Sequence, residues 1–105
     1  MISLQFDTPI LLATKPADFR CGIDGFAALC KYQLKQDPRS GTLFVFINRK
    51  KNMIRVLTYQ SNGFWLMTKR LSKGKFQHWP TPKNPLTSIE AVKLRQILAA
   101  ELSLK

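Results

Sequence analysis

The chain is 105 residues long and 45% hydrophobic, enough for one modest core, so a single domain over 1–105 is expected. Its formal net charge of +11 arises from 17 Lys and Arg against 6 Asp and Glu, a balance that points to polyanionic partners. The longest apolar run, Leu43 to Ile47, falls far short of the roughly 20 residues a membrane-spanning helix needs, which excludes a membrane protein of that kind.

In chain order, Met1 to Asp7 lack the charged and apolar regions of a secretory signal, so a cytoplasmic location is expected. Ile10-Leu11-Leu12-Ala13 reads as a short strand stopped by Lys15-Pro16, because proline cannot donate to a sheet ladder. Phe19, Ile23, Phe26, Ala27, Cys30 and Leu34 recur at the spacing of an amphipathic helix. Its start is either Asp18 or Asp24, both of which can cap a helix. Asp37-Pro38-Arg39-Ser40-Gly41 ends it with a turn.

Three runs rich in β-branched and aromatic residues follow, Thr42 to Asn48, Met53 to Tyr59 and Phe64 to Leu71, and predict an antiparallel meander. The first turn is Asn48 to Asn52; the second holds Asn62-Gly63, a pair suited to positive φ. After a third turn, Ser72 to Lys75, Phe76 to Trp79 is a candidate edge strand ended by Pro80 and Pro82. Thr87-Ser88-Ile89-Glu90 matches a capping box that opens a second helix, with Ala91, Leu94, Ile97, Leu98 and Leu102 on its apolar face. The expected fold is α+β: a mostly antiparallel sheet of about four or five strands with two helices packed on it.

The chemistry-bearing residues exclude more than they offer. Cys21 and Cys30 are expected to be reduced thiols, and two cysteines with one histidine do not supply a zinc site. His78, between Gln77 and Trp79, has no evident partner for nucleophilic catalysis. The six acids avoid the sheet region, so paired carboxylates for metal-dependent strand transfer are absent there, and no glycine-rich phosphate loop occurs. No catalytic residue, metal or small-molecule cofactor is therefore expected.

The positive charge belongs to one segment. From Pro38 to Ile89 the cations are Arg39, Arg49, Lys50, Lys51, Arg55, Lys69, Arg70, Lys73, Lys75 and Lys83, without a single acid. Arg49-Lys50-Lys51 would stand at a hairpin tip and meet phosphates, with Arg55 on the next strand extending the patch if it faces outward. Lys69, Arg70, Lys73 and Lys75 are expected at the opposite end of the sheet, giving two cationic ends. Tyr59, Phe64, Trp65 and Trp79 could stack bases, but alternating aromatics on strands are read first as core.

Two linked blocks carry a resemblance: Asp18-Phe19-Arg20-Cys21-Gly22-Ile23-Asp24-Gly25-Phe26-Ala27-Ala28-Leu29 and Asp37-Pro38-Arg39-Ser40-Gly41-Thr42-Leu43-Phe44-Val45-Phe46. With Asn48-Arg49-Lys50-Lys51, Ile54-Arg55-Val56-Leu57, Asn62-Gly63-Phe64-Trp65-Leu66 and Lys69-Arg70-Leu71 in register, the chain from about Leu12 to Pro80 resembles the TnpB-type transposase accessory proteins of the insertion sequence sixty-six family. The sequence departs from that pattern at Tyr59-Gln60, where an acid would follow the aromatic, and at Phe76 to Pro80, one residue longer than usual.

The resemblance implies a bacterial mobile-element protein needed for transposition, without catalytic activity. Its implied partners are DNA, the transposase and the other accessory protein encoded by the element. Arg20, Asp24, Arg49, Arg55, Lys69 and Arg70 are the family-like polar positions, Asp24 as a helix cap. The nucleic-acid-binding set is thus Arg20, Arg49, Lys50, Lys51, Arg55, Lys69, Arg70, Lys73 and Lys75. Two other readings are compatible with the sequence: a subunit docking on an acidic face of the transposase, and a small basic endoribonuclease using His78 or Tyr59.

Overall fold

Leu43 to Ile47 is apolar at every position, so both faces of that strand need cover and it belongs in the interior of a sheet. In the computed structural model, which describes residues 8–99, this segment is β2 (Leu43–Ile47), buried throughout and central among five strands. The others are β1 (Ile10–Ala13), β3 (Met53–Gln60), β4 (Gly63–Arg70) and β5 (Leu86–Ser88), in the order β4-β3-β2-β1-β5. The predicted meander forms: β2 pairs antiparallel with β3, and β3 with β4 along its whole length. β1 runs parallel to β2, with Ile10 beside Leu43, and β5 runs antiparallel to β1. The sheet is therefore mixed but mostly antiparallel, and with two helices it gives the expected α+β fold.

Parity along the strands sorts the core into two layers. Phe44, Phe46 and Leu57 face α1 (Ile23–Ala28), meeting Phe26 and Cys30. Phe26 is fully buried, its ring centroid 4.9 Å from that of Phe46 and 5.6 Å from that of Phe19. Truncating such a residue to alanine typically costs about 3–5 kcal/mol. Val45, Ile47, Ile54 and Val56 face the other way, toward Leu94 and Ile97 of α2 (Ala91–Ala99) and toward Phe76 and Trp79. Among the described residues no helix is long and apolar enough to cross a membrane.

Several element boundaries differ from expectation. α1 is capped by Gly22 rather than Asp18 or Asp24, with no side-chain cap; Asp24 sits in the first turn, where its charge suits the helix dipole. A π-helical turn, Leu29–Gln33, continues α1, and Lys35 at φ 58° ends it before the predicted turn, in which Asp37 Oδ1 accepts from Arg39 N–H. Gly25 cannot be enlarged, since an added Cβ would collide with Cys21 Cβ. Cys21 and Cys30 are unpaired thiols, and burial pushes that of Cys30 up to about 12.

Phe76 to Trp79 forms no strand. It is an irregular arm pinned by the burial of Phe76 and Trp79 and by the Trp79 Nε1–H bond to Ala13 O at 3.1 Å. The edge beside β1 is instead β5, which takes up Thr87 and Ser88, so the predicted capping box does not form and α2 begins after Glu90. Leu94 N–H donates to Glu90 O as the first turn closes. Leu102, and the N-terminal stretch read for a signal, lie outside the described residues.

Candidate nucleic-acid interface

The turn between β2 and β3 is organised by its two asparagines. Asn48 Oδ1 accepts from Asn52 N–H and Met53 N–H, both at 3.0 Å, while Asn48 Nδ2 donates to Asn52 Oδ1 at 2.7 Å. Lys51 N–H closes onto Asn48 O, and Lys51 takes the left-handed φ of 61°. With the backbone satisfied from within, Arg49, Lys50 and Lys51 are all left exposed.

Two further segments are tied to this turn. On one side Leu71 N–H donates to Asn52 O and Phe76 N–H to Lys51 O. These bonds hold the loop carrying Lys73, Gly74 at φ 79° and Lys75 beside the hairpin tip. On the other side Ala17 N–H donates to Ile47 O, placing Ala17 to Arg20 along the same rim. An open groove of about 610 Å³ runs between them, lined in part by Arg20, Arg49, Lys50 and Arg70 with Asn48 and Asn52.

The expectation of two cationic ends is thereby corrected. Met53 pairs with Arg70, so the end of β4 stands level with the β2–β3 turn, and Arg20, Arg49, Lys50, Lys51, Arg70, Lys73 and Lys75 share one end of the sheet. Asp18 enters the groove with them. Its carboxylate takes hydrogen bonds from the Arg20 side chain and backbone, and these, with the charges of Arg20 and Arg49, hold its pKa down to about 2; the Arg20 pKa is raised in turn. Arg20–Asp18, at 2.8 Å, is the salt bridge found among the described residues, which leaves the other six cations without a carboxylate partner there.

Two predicted residues stand apart. Arg55 points to the α1 face, where its guanidinium donates to Phe19 O (2.8 Å), Cys21 O (3.1 Å) and Thr68 Oγ1 (2.8 Å) and lies 4.9 Å from the Phe19 ring centroid. It is engaged within the fold instead of extending the hairpin patch. Lys69 lies on the opposite face and donates to Leu98 O at 2.7 Å, near the C-terminal end of α2. Lys31, Lys35 and Arg39 line a separate groove with Asp24, Asp37 and Phe64 near the β3–β4 hairpin.

Of the aromatics, Trp79 is core, as read from the sequence, and Tyr59 packs edge-on against Phe64 with centroids 4.9 Å apart. Trp65 is 41% exposed. His78 is exposed at φ 61°, on the arm that packs on the α2 face, whereas Tyr59 points to the α1 face. Sequence reading missed the asparagines as groove-lining residues; an Asn at each end of a cationic turn was the available signal.

Comparison with known proteins adds a second line. A family model described as "IS66 Orf2 like protein" matches residues 8–102. Two similar relatives come from Sinorhizobium fredii. Uncharacterized protein y4hO is 33% identical over 90 residues, which is 86% of this chain and 77% of the relative. Uncharacterized protein y4jC is 40% identical over 67 residues, 64% of this chain and 57% of that relative. No solved structure matches. The family match spans β1, α1, the whole meander and the cationic turn, and the chain belongs to the IS66 Orf2-like family of transposition-associated accessory proteins.

Proposed function

We propose that this chain is a non-catalytic, cytoplasmic accessory protein of insertion-sequence transposition that binds DNA through the basic end of its sheet. The observation that carries the reading is the convergence of Arg20, Arg49, Lys50, Lys51, Arg70, Lys73 and Lys75, from three separate segments, with Asp18 as the carboxylate among them. Exposed cations of this kind gain affinity by releasing counterions from the phosphate backbone without being desolvated. Arg55 and Lys69 act in folding in this reading, as their hydrogen bonds to backbone carbonyls suggest. Tyr59 and His78, on opposite faces, do not make the paired acid and base that phosphate cleavage needs, which favours a binding role over a nuclease one.

The test is a salt-titrated binding assay on duplex ends of the parent element. With about six phosphates neutralised, the log–log slope is expected near five, and Arg49→Ala/Lys50→Ala/Lys51→Ala should lower it by nearly three. Arg39→Ala, in the other groove, should leave it unchanged. A flat salt response would overturn the proposal and favour docking of the same cations on an acidic face of the transposase.

A further inference from the structure

The two edges of the sheet are unequally protected. β5 is three residues long and preceded by Pro85, the short proline-flanked kind of edge that resists strand addition. β4 runs eight residues, Gly63–Arg70, with no proline, and its stretch from Gly63 to Thr68 carries no charge. Lys69, the cation nearest that stretch, is drawn away to Leu98 O.

The backbone of β4 has a defined phase. Leu71 N–H bonds to Asn52 O in the same register that pairs Gln60 with Gly63 and Met53 with Arg70. Bonding alternates along an antiparallel ladder. The odd-numbered residues of β4 therefore turn their N–H and C=O toward β3, while Phe64, Leu66, Thr68 and Arg70 turn theirs outward. Trp65 (41% exposed) and Met67 (37%) stand side by side on the α2 face of this strand, and Trp65 Nε1–H is fixed to Gln60 Oε1 at 3.1 Å.

We infer that the β4 edge is the dimerisation surface of this protein, two copies pairing β4 to β4 antiparallel about Leu66 into one continuous ten-stranded sheet. This surface is independent of the DNA-binding proposal. In that register Phe64, Leu66 and Thr68 meet Thr68, Leu66 and Phe64 of the second copy as hydrogen-bonded pairs, using the outward groups. Trp65 then faces Met67 of the second copy, twice by symmetry, at the close non-bonded positions where side chains touch. Every exposed hydrophobe of the edge finds an apolar partner.

Charge selects the antiparallel orientation for the pairing of two copies. Parallel pairing in register would set Lys69 beside Lys69 and Arg70 beside Arg70, which is repulsive. The antiparallel register carries them past the uncharged stretch to Gly63 and Asn62 of the second copy. There Arg70, which shares the α1 face, approaches the exposed Asp24 and Asp37 of the second copy, while Lys69 stays on the other face with Leu98 O.

Sedimentation equilibrium of the full chain tests this. The mass should rise with concentration from 12.0 kDa for one chain toward twice that value, and added salt should strengthen the association by screening the cations. Thr68→Pro removes an outward N–H and leaves the backbone ladder to β3 in place, though it also loses the hydroxyl that accepts from Arg55, and Trp65→Lys/Met67→Lys, which leaves that hydroxyl intact, places like charges across the seam. Each should give a monomer whose circular-dichroism melt confirms a folded chain, so that the second variant decides if the first fails to fold. A wild-type protein that stays at one chain's mass at all concentrations overturns the inference. So does a dimer that survives both edge variants, or an edge whose amides gain exchange protection only when a different protein is added.

Discussion

A half-buried arginine with no carboxylate partner among the described residues needs its charge spread over neutral acceptors, and Arg55 achieves this through two carbonyls, one hydroxyl and the face of Phe19. It thereby ties the Phe19 to Cys21 loop, which leads into α1, to the middle of β3. Arg55→Ala should destabilise the protein by about 3 kcal/mol, since the carbonyls of Phe19 and Cys21 lose a charged donor. Chemical denaturation measures this, while the salt slope of DNA binding should stay unchanged, the reverse of what Arg49 substitution does. The alternation of β3, with Ile54 and Val56 on one face, already put Arg55 on the other. That this face is covered by the Phe19 to Cys21 carbonyls was not legible, because that contact spans more than thirty residues of sequence.

At the level of elements, local pattern succeeded where it was dense and failed where tertiary pairing competed with it. Leu43–Ile47 is read correctly because five apolar residues in a row require two covered faces. Thr87-Ser88-Ile89-Glu90 is misread because the open side of β1 recruits Thr87 and Ser88 into β5, and a ladder bond outweighs a helix cap. The β3–β4 hairpin differs by one residue. Its two turn residues are Ser61 and Asn62, and the positive φ falls on Ser61 at 59° while Gly63 belongs to the strand. Serine is disfavoured in that left-handed conformation, whereas glycine is free to adopt it. Ser61→Gly should therefore stabilise the chain by about 1 kcal/mol, read as a higher denaturant midpoint at constant slope.

For the whole molecule, three strands that run up, down and up return the end of β4 to the level of the first turn. The meeting of Arg70, Lys73 and Lys75 with Arg49, Lys50 and Lys51 was thus implicit in the meander, though local reading set them apart. Arg20 was a different matter, because its arrival there depends on β1 lying parallel to β2, which no local signal announces. That convergence has a thermodynamic cost. In the unfolded chain these cations are spread across more than fifty residues, and folding gathers them within mutual range, so the native state works against its own repulsion. Anything that screens or neutralises the rim should then favour folding. The thermal midpoint is expected to climb by roughly 4 °C for each kcal/mol of repulsion relieved as ionic strength rises, and further when a short duplex is added. A scanning-calorimetry series in chloride, repeated with Asp18→Asn to remove the counter-charge found at this rim among the described residues, measures how tightly anion capture and folding are coupled.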